Sequence, residues 1–119
     1  MTDNINWRTR TIYMLIIIFM LFSSGVFSQI TVKHFNAGWN DANGVDWIMD
    51  LKDCNTKGYI DIAKNTEAQK KYKIDVVPTI IIFKDGEEVA RFQADLSFKI
   101  TATKEEVQEE IDNQLMSDF

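Results

Sequence analysis

The sequence has few of the residue types that form covalent cross-links or metal sites. Its 119 residues include one cysteine, Cys54, one histidine, His34, and one proline, Pro78. A single cysteine excludes an intramolecular disulfide and a cysteine-rich metal site. A single histidine leaves a zinc site without its usual set of ligands. We therefore predict no cofactor and no metal, and an apolar core must stabilise the domain on its own.

Clustered positive charge is also missing. Once Arg8, Arg10 and Asp3 are set aside, 11 of the 13 basic and 17 of the 18 acidic side chains remain, which gives residues 29–119 a net charge of −6. The basic residues are scattered among the acids. Since a surface that binds phosphates needs clustered Lys and Arg, nucleic acid is not an expected partner.

An apolar segment lies near the amino terminus. Arg8 and Arg10 precede an uncharged stretch over residues 11–32, and small residues follow its apolar centre. This pattern is typical of a secretory signal peptide. We predict a signal peptide at residues 1–28 and a domain at 29–119 that is exported to the periplasm or cell envelope. An uncleaved membrane anchor, with the domain outside the cytoplasm, is the alternative, because the uncharged stretch is long enough to span. A membrane contact is expected only through this segment.

The rest of the chain alternates strand and helix patterns. Alternating or β-branched runs predict strands at residues 30–35, 59–63 and 79–83. The pair Asp85-Gly86 is a hairpin signal and predicts a partner strand over residues 87–93. Residues 55–58 read as a turn.

Three helices are predicted between and after these strands. An apolar stripe predicts a buried helix over residues 44–53, with Asp41 or Asn43 at its cap and Trp47 in the core. A short helix is predicted at 65–72. Thr103 and Glu106 form a capping box ahead of a helix with an apolar residue at every fourth position. The resulting order is β-α-β-α-β-β-α, an α/β fold.

Two segments resemble the active-site turn and the proline loop of the thioredoxin family. The segment Trp39-Asn40-Asp41-Ala42-Asn43 stands where thioredoxins read Trp-Cys-Gly-Pro-Cys, and Val77-Pro78-Thr79 stands at their cis-proline loop. Tyr72-Lys73-Ile74 and Phe83-Lys84-Asp85-Gly86 match the family in order and spacing. The resemblance covers about residues 31–115. It implies a minimal thioredoxin fold, with a four-stranded mixed sheet, helices on both faces, and without the family's usual first strand and helix.

The resemblance also implies that the CxxC chemistry is absent. Asn40 and Asn43 stand at both cysteine positions, and asparagine can neither attack a disulfide nor resolve a mixed one. No catalytic residue is predicted. Helix capping and turn formation are favoured for these asparagines, and a role in binding stays open. His34 stands where thioredoxins carry a buried acid, and without a cysteine to serve it is expected to be structural.

A protein or peptide partner is the function that the resemblance implies. In thioredoxins the backbone before the cis proline pairs with an extended peptide, and Val77 supplies that backbone here. A part-exposed Trp39 suits a small protein interface. The loop could equally serve only to shape the fold. The predicted binding residues are Trp39, Asn40, Asn43, Val77, Pro78 and Thr79.

Thiol–disulfide exchange through Cys54 is the alternative function. That function requires an accessible thiol of low pKa. Cys54 is placed at the end of the predicted first helix, whereas thiols are activated at helix amino termini. An inert Cys54 is therefore the favoured interpretation.

Overall fold

The computed structural model describes residues 28–117. Its strands are β1 (Ile30–Asn36), β2 (Thr56–Asp61), β3 (Thr79–Lys84) and β4 (Glu87–Gln93), and its α-helices are α1 (Thr66–Lys71) and α2 (Lys104–Met116). Two short 3₁₀ segments, Gly38–Asn43 and Ile48–Asp50, lie between β1 and β2. The predicted signal peptide lies outside the described residues apart from Ser28. No helix within residues 28–117 has the length and hydropathy of a membrane span.

The four strands form one mixed sheet in the order β2-β1-β3-β4. Strands β1 and β2 are parallel, whereas β3 is antiparallel to both β1 and β4. One face buries a cluster that includes residues of α2 and of the second 3₁₀ segment. The other face buries a cluster that includes the chain just after α1. Apolar layers on both faces explain the nearly continuous apolar run of β3. The predicted four-stranded mixed sheet is confirmed.

The helix predicted over residues 44–53 is wrong. The chain there is extended at Gly44 (φ −64°, ψ 157°) and again at Leu51 (φ −65°, ψ 139°), with one 3₁₀ turn between them. Ile48 and Leu51 are buried, but Met49 is 71% exposed. A single tight turn thus buries Ile48 and Leu51 without a helix. The Asn-Asp-Ala-Asn-Gly run before it favours turns over helix. Trp47 is partly buried against the core cluster.

The turn predicted at residues 55–58 is also wrong, because β2 begins at Thr56 and ends at Asp61. Its parallel register with β1 starts at the pair Thr31–Thr56. Asn55 fixes that start: its side-chain oxygen accepts from the Ile30 N–H at 2.8 Å, and its own N–H donates to the Ile30 carbonyl at 2.8 Å. An edge strand fixed in this way needs no apolar alternation in its first half.

Local signals elsewhere are confirmed. Asp85 and Gly86 both have positive φ (53° and 85°), as a two-residue hairpin turn requires. The Asn65 side chain caps α1 by accepting from the Ala68 N–H at 3.0 Å. The Thr103 hydroxyl caps α2 by accepting from the Glu106 N–H at 3.2 Å. Each of these devices depends on residues within a few positions, so the sequence pattern alone identifies them.

Candidate functional site

Asn40 lies at the centre of the site, where the first 3₁₀ segment meets the proline loop. The side chain is 4% exposed. Its Nδ2 donates to Oδ1 of Asn36 at 3.1 Å, to the carbonyl of Phe98 at 3.1 Å and to the carbonyl of Val77 at 3.4 Å. Asn40 therefore joins the end of β1, the proline loop and the loop after β4.

Asn43 supports Asn40 from the other side. Its Nδ2 donates to Oδ1 of Asn40 at 2.8 Å. Ala37 occupies the N-cap position of this 3₁₀ segment and no side chain caps it. The expected capping role is thus wrong for both asparagines, because the segment is too short and tight to present a helical first turn. Asn40 holds together chain segments that are distant in sequence, and Asn43 supports Asn40 locally.

The proline loop is buried beneath this network. The Val77–Pro78 peptide bond is cis. Val77 is 3% exposed, Thr79 is 0% exposed, and Pro78 is fully buried. The Thr79 hydroxyl donates to the Val76 carbonyl at 2.6 Å, and the Pro78 carbonyl accepts from the Ala94 N–H at 3.0 Å. The side chains of these three predicted binding residues support the site from below, and its surface is formed by other residues.

Three exposed apolar side chains lie at this junction, and we call them the Trp39 patch: Trp39 and Phe98, whose rings meet, and Leu96, two residues before Phe98 in the same loop. Trp39 is 66% exposed, Phe98 43% and Leu96 97%. The Trp39 and Phe98 rings meet edge to face, with centroids 5.2 Å apart. Sequence reasoning identified Trp39 but missed Leu96 and Phe98. Two large apolar residues inside the polar loop 95–99 were the available signal.

The loop that carries Leu96 and Phe98 has a fixed shape. An isolated β-bridge between Ala94 and Ile100 closes its base. One carboxylate oxygen of Asp95 accepts from the N–H of Ser97 at 2.8 Å. The Phe98 N–H donates to the Asp95 carbonyl at 3.1 Å, and Phe98 has a positive φ of 62°. The loop holds the two apolar side chains in place without burying them.

His34 lies on β1, and its ring contacts Val45 and Tyr59 of β2. It is 5% exposed, its Nε2 accepts from the Val45 N–H at 3.4 Å, and its ring meets Tyr59 with centroids 5.2 Å apart. Burial lowers the pKa of His34 to about 4. The ring is therefore neutral at pH 7. No group of three metal-ligating side chains able to hold an ion occurs within the described part of the chain.

Cys54 lies in the connection to β2 and is partly buried. Its Sγ donates to the Lys52 carbonyl at 3.4 Å. Burial raises the pKa of the Cys54 thiol, and the charge of Lys57 offsets this only in part. At neutral pH the thiolate fraction is accordingly small, which disfavours attack on a disulfide.

We expect Cys54 to react slowly with an aromatic disulfide reagent at pH 7.5. The rate should be about tenfold or more below that of the same protein unfolded in denaturant, because burial both shields the thiol and raises its pKa. The measurement is the release of the coloured thiol under the two conditions. A native rate equal to or above the unfolded rate would instead favour the exchange function.

Comparison with known proteins supports one fold. No protein-family profile matches the sequence. A thioredoxin from Chlamydia pneumoniae is 47% identical over 36 residues, a match that spans 30% of this chain and about a third of that protein (35%). Among solved structures, a mutant thioredoxin from Halobacterium salinarum aligns with a TM-score of 0.56 at 19% identity, covering 71% of this chain and 74% of the other.

The Fasciola hepatica thioredoxin aligns with a TM-score of 0.51 at 24% identity, covering 71% of this chain and 80% of the other. The fold is thioredoxin-like. Within this fold, the first 3₁₀ segment follows β1 and meets the loop before β3, and this junction of the thioredoxin-like domain carries Asn40 and the Trp39 patch.

Proposed function

We propose that this chain is an exported thioredoxin-like domain without CxxC redox chemistry that binds a protein or peptide at the Trp39 patch. The observation that carries this proposal is the exposed pair Trp39 and Phe98, held edge to face by a structured loop. A tryptophan that leaves two thirds of its surface in water beside further apolar groups is typical of an interaction site. Export rests on the amino-terminal pattern of residues 1–28.

The surroundings of Asn40 support the absence of redox chemistry. Both polar atoms of the Asn40 side chain are engaged: the two N–H groups of Nδ2 lie within hydrogen-bond distance of three acceptors, and Oδ1 accepts from Asn43. The 3₁₀ segment of six residues that begins at Gly38 replaces the helix whose amino terminus would lower a thiol pKa. The hydrogen bonds at this junction hold loops together, and its side chains contain no thiol.

The partner is a protein segment with an apolar anchor residue. Trp39, Leu96 and Phe98 offer contact area at little entropic cost, because the loop that holds two of them is already ordered. The acidic domain favours a partner with basic residues around its anchor, since opposite charge accelerates association. Beneath the patch, Asn40 links the loop that carries Phe98 to the proline loop at Val77, and Asn43 binds Asn40.

Selection of short random peptides on the immobilised protein tests this proposal. We expect selected peptides to carry an apolar anchor, and we expect Trp39→Ala and Phe98→Ala each to weaken their binding about tenfold or more, the size of a hot-spot truncation. Titration by fluorescence anisotropy gives the affinities, and circular dichroism shows whether each variant is folded.

Met116→Ala is the matched control. Met116 is a large apolar residue with 68% exposure on α2, outside the Trp39 patch. Its truncation should leave peptide affinity unchanged. Peptides that bind the wild-type protein and both patch variants equally well would show that the proposed surface is wrong.

A further inference from the structure

A concave site lies beside His34, apart from the Trp39 patch. It is on the side of the sheet where the helix predicted over residues 44–53 does not form. It is a cavity of about 350 Å³ between the chain segment 41–49 and strand β2. Val45, Ile48 and Met49 supply apolar walls, and Tyr59 supplies an aromatic ring. A volume of this size is within the range of small-molecule sites. No residue of the Trp39 patch lines this cavity, so it is independent of the proposed function.

His34 offers the cavity an unpaired hydrogen-bond donor. Because the Val45 N–H donates to Nε2, the neutral ring carries its proton on Nδ1. No residue within 28–117 accepts from Nδ1. Every fully buried side-chain nitrogen or oxygen in that range has a partner, so Nδ1 is not fully buried, and His34 is one of the residues that line the cavity. A side chain that is 95% buried thus keeps one donor for a ligand.

The charge of the cavity is negative. Asp41 and Asp46 contribute two carboxylates. Lys57 is the cation of the lining, and its ammonium is engaged by the carbonyls of Met49 and Leu51, each at 2.9 Å. Burial raises the pKa of Tyr59, and the charges of Asp61 and Asp41 add to this in the same direction. A positively charged ligand is therefore favoured over an anion.

We propose that this cavity binds a small aromatic amine. Its ring would pack against Val45, Ile48 and Tyr59, a hydroxyl or carbonyl oxygen would accept from His34 Nδ1, and its ammonium would pair with Asp41 and Asp46. The ring, the oxygen and the ammonium of such a ligand match, in turn, the apolar walls, the unpaired donor and the two carboxylates.

Tyramine is the probe for this proposal. One neutral and one anionic compound with the same phenol ring serve as controls. The amide resonances of Val45 and Gly58 are followed by NMR during titration. We expect saturable shifts with tyramine and a dissociation constant on the order of a millimolar or tighter. Para-ethylphenol, which lacks the amine, should bind about tenfold more weakly, and phloretate, which carries a carboxylate instead, should not bind.

Charge variants give the matched protein control. Asp41 and Asp46 are exposed, so the double variant Asp41→Asn, Asp46→Asn should fold normally and lose about tenfold in tyramine affinity. Glu105→Gln, which removes one exposed carboxylate from α2, should bind as the wild type does. Absence of saturable shifts with tyramine, equal binding of para-ethylphenol, or an unaffected double variant would each overturn the proposal.

Discussion

Replacing Asn40 with alanine should lower the free energy of unfolding by about 2–4 kcal/mol. The buried side chain donates to Asn36, Val77 and Phe98 and accepts from Asn43. The alanine side chain can neither donate nor accept a hydrogen bond, so the acceptors at Asn36 and Phe98 lose their Asn40 partner. The cost follows because a buried polar group without a partner pays its full desolvation penalty. Chemical denaturation at pH 7 gives the free energy.

Asn43→Ala is the control for this prediction. Asn43 is partly buried, and it contributes one hydrogen bond, to Asn40. Its replacement should cost about 0.5–1.5 kcal/mol. Asn40→Ala should also increase hydrogen exchange at the amides of the loop 95–99, since that loop loses its tie to the 3₁₀ segment. Equal costs for the two alanine variants would contradict the central place that the structure gives to Asn40.

The outcome matters for the interaction site because Asn40 lies under the Trp39 patch. Asn40 follows Trp39 directly in the chain and binds the carbonyl of Phe98. The edge-to-face contact between Trp39 and Phe98 therefore depends on a hydrogen bond between residues 58 positions apart. An asparagine that looks like a lost catalytic residue in the sequence serves to align the two rings that we propose as the binding surface.

The elements that the sequence predicts well are those determined by neighbouring residues. The β-branched run of β3, the Asp85-Gly86 turn and the Thr103 cap each depend on positions close in the chain. The resemblance to thioredoxins then supplies the arrangement of these elements. The sheet follows from both together, because strand patterns alone do not give the order β2-β1-β3-β4.

The elements that the sequence predicts poorly depend on distant contacts. The apolar stripe over residues 44–53 predicts that Ile48 and Leu51 are buried. Two residues three positions apart can be buried by one 3₁₀ turn as well as by a helix, so the stripe does not decide between them. The exposure of Leu96 and Phe98 depends on how a loop is anchored. The partners of Asn40 come from three separate segments. No local pattern contains this information.

Lowering the pH from 6.5 to 4 should reduce the free energy of unfolding by about 3 kcal/mol through His34 alone, because one pKa unit corresponds to about 1.4 kcal/mol. The pKa of His34 is about 4 in the folded protein and 6.5 in the unfolded chain. Between pH 4 and pH 6.5, His34 is mostly protonated in the unfolded chain and mostly neutral in the folded protein. The free energy of unfolding is therefore highest above pH 6.5 and decreases as the pH falls. Below about pH 4, His34 changes it no further.

This pH dependence can be assigned because His34 is the only histidine in the chain. The interval from pH 6.5 to about pH 5 lies above the reference pKa values of Asp and Glu side chains in model peptides, so the loss of about 2 kcal/mol expected there is assigned to His34. His34→Gln keeps an acceptor for the Val45 N–H but does not titrate, and its unfolding free energy should be nearly flat over this interval. Denaturant titrations of both proteins along a pH series make the comparison, and a parallel fall in the two would contradict it. Asp41 and Asp46 line the same cavity as His34, and burial is what lowers the pKa of the ring. The imidazole therefore stays neutral at pH 7, with its proton on Nδ1 because Nε2 accepts from the Val45 N–H.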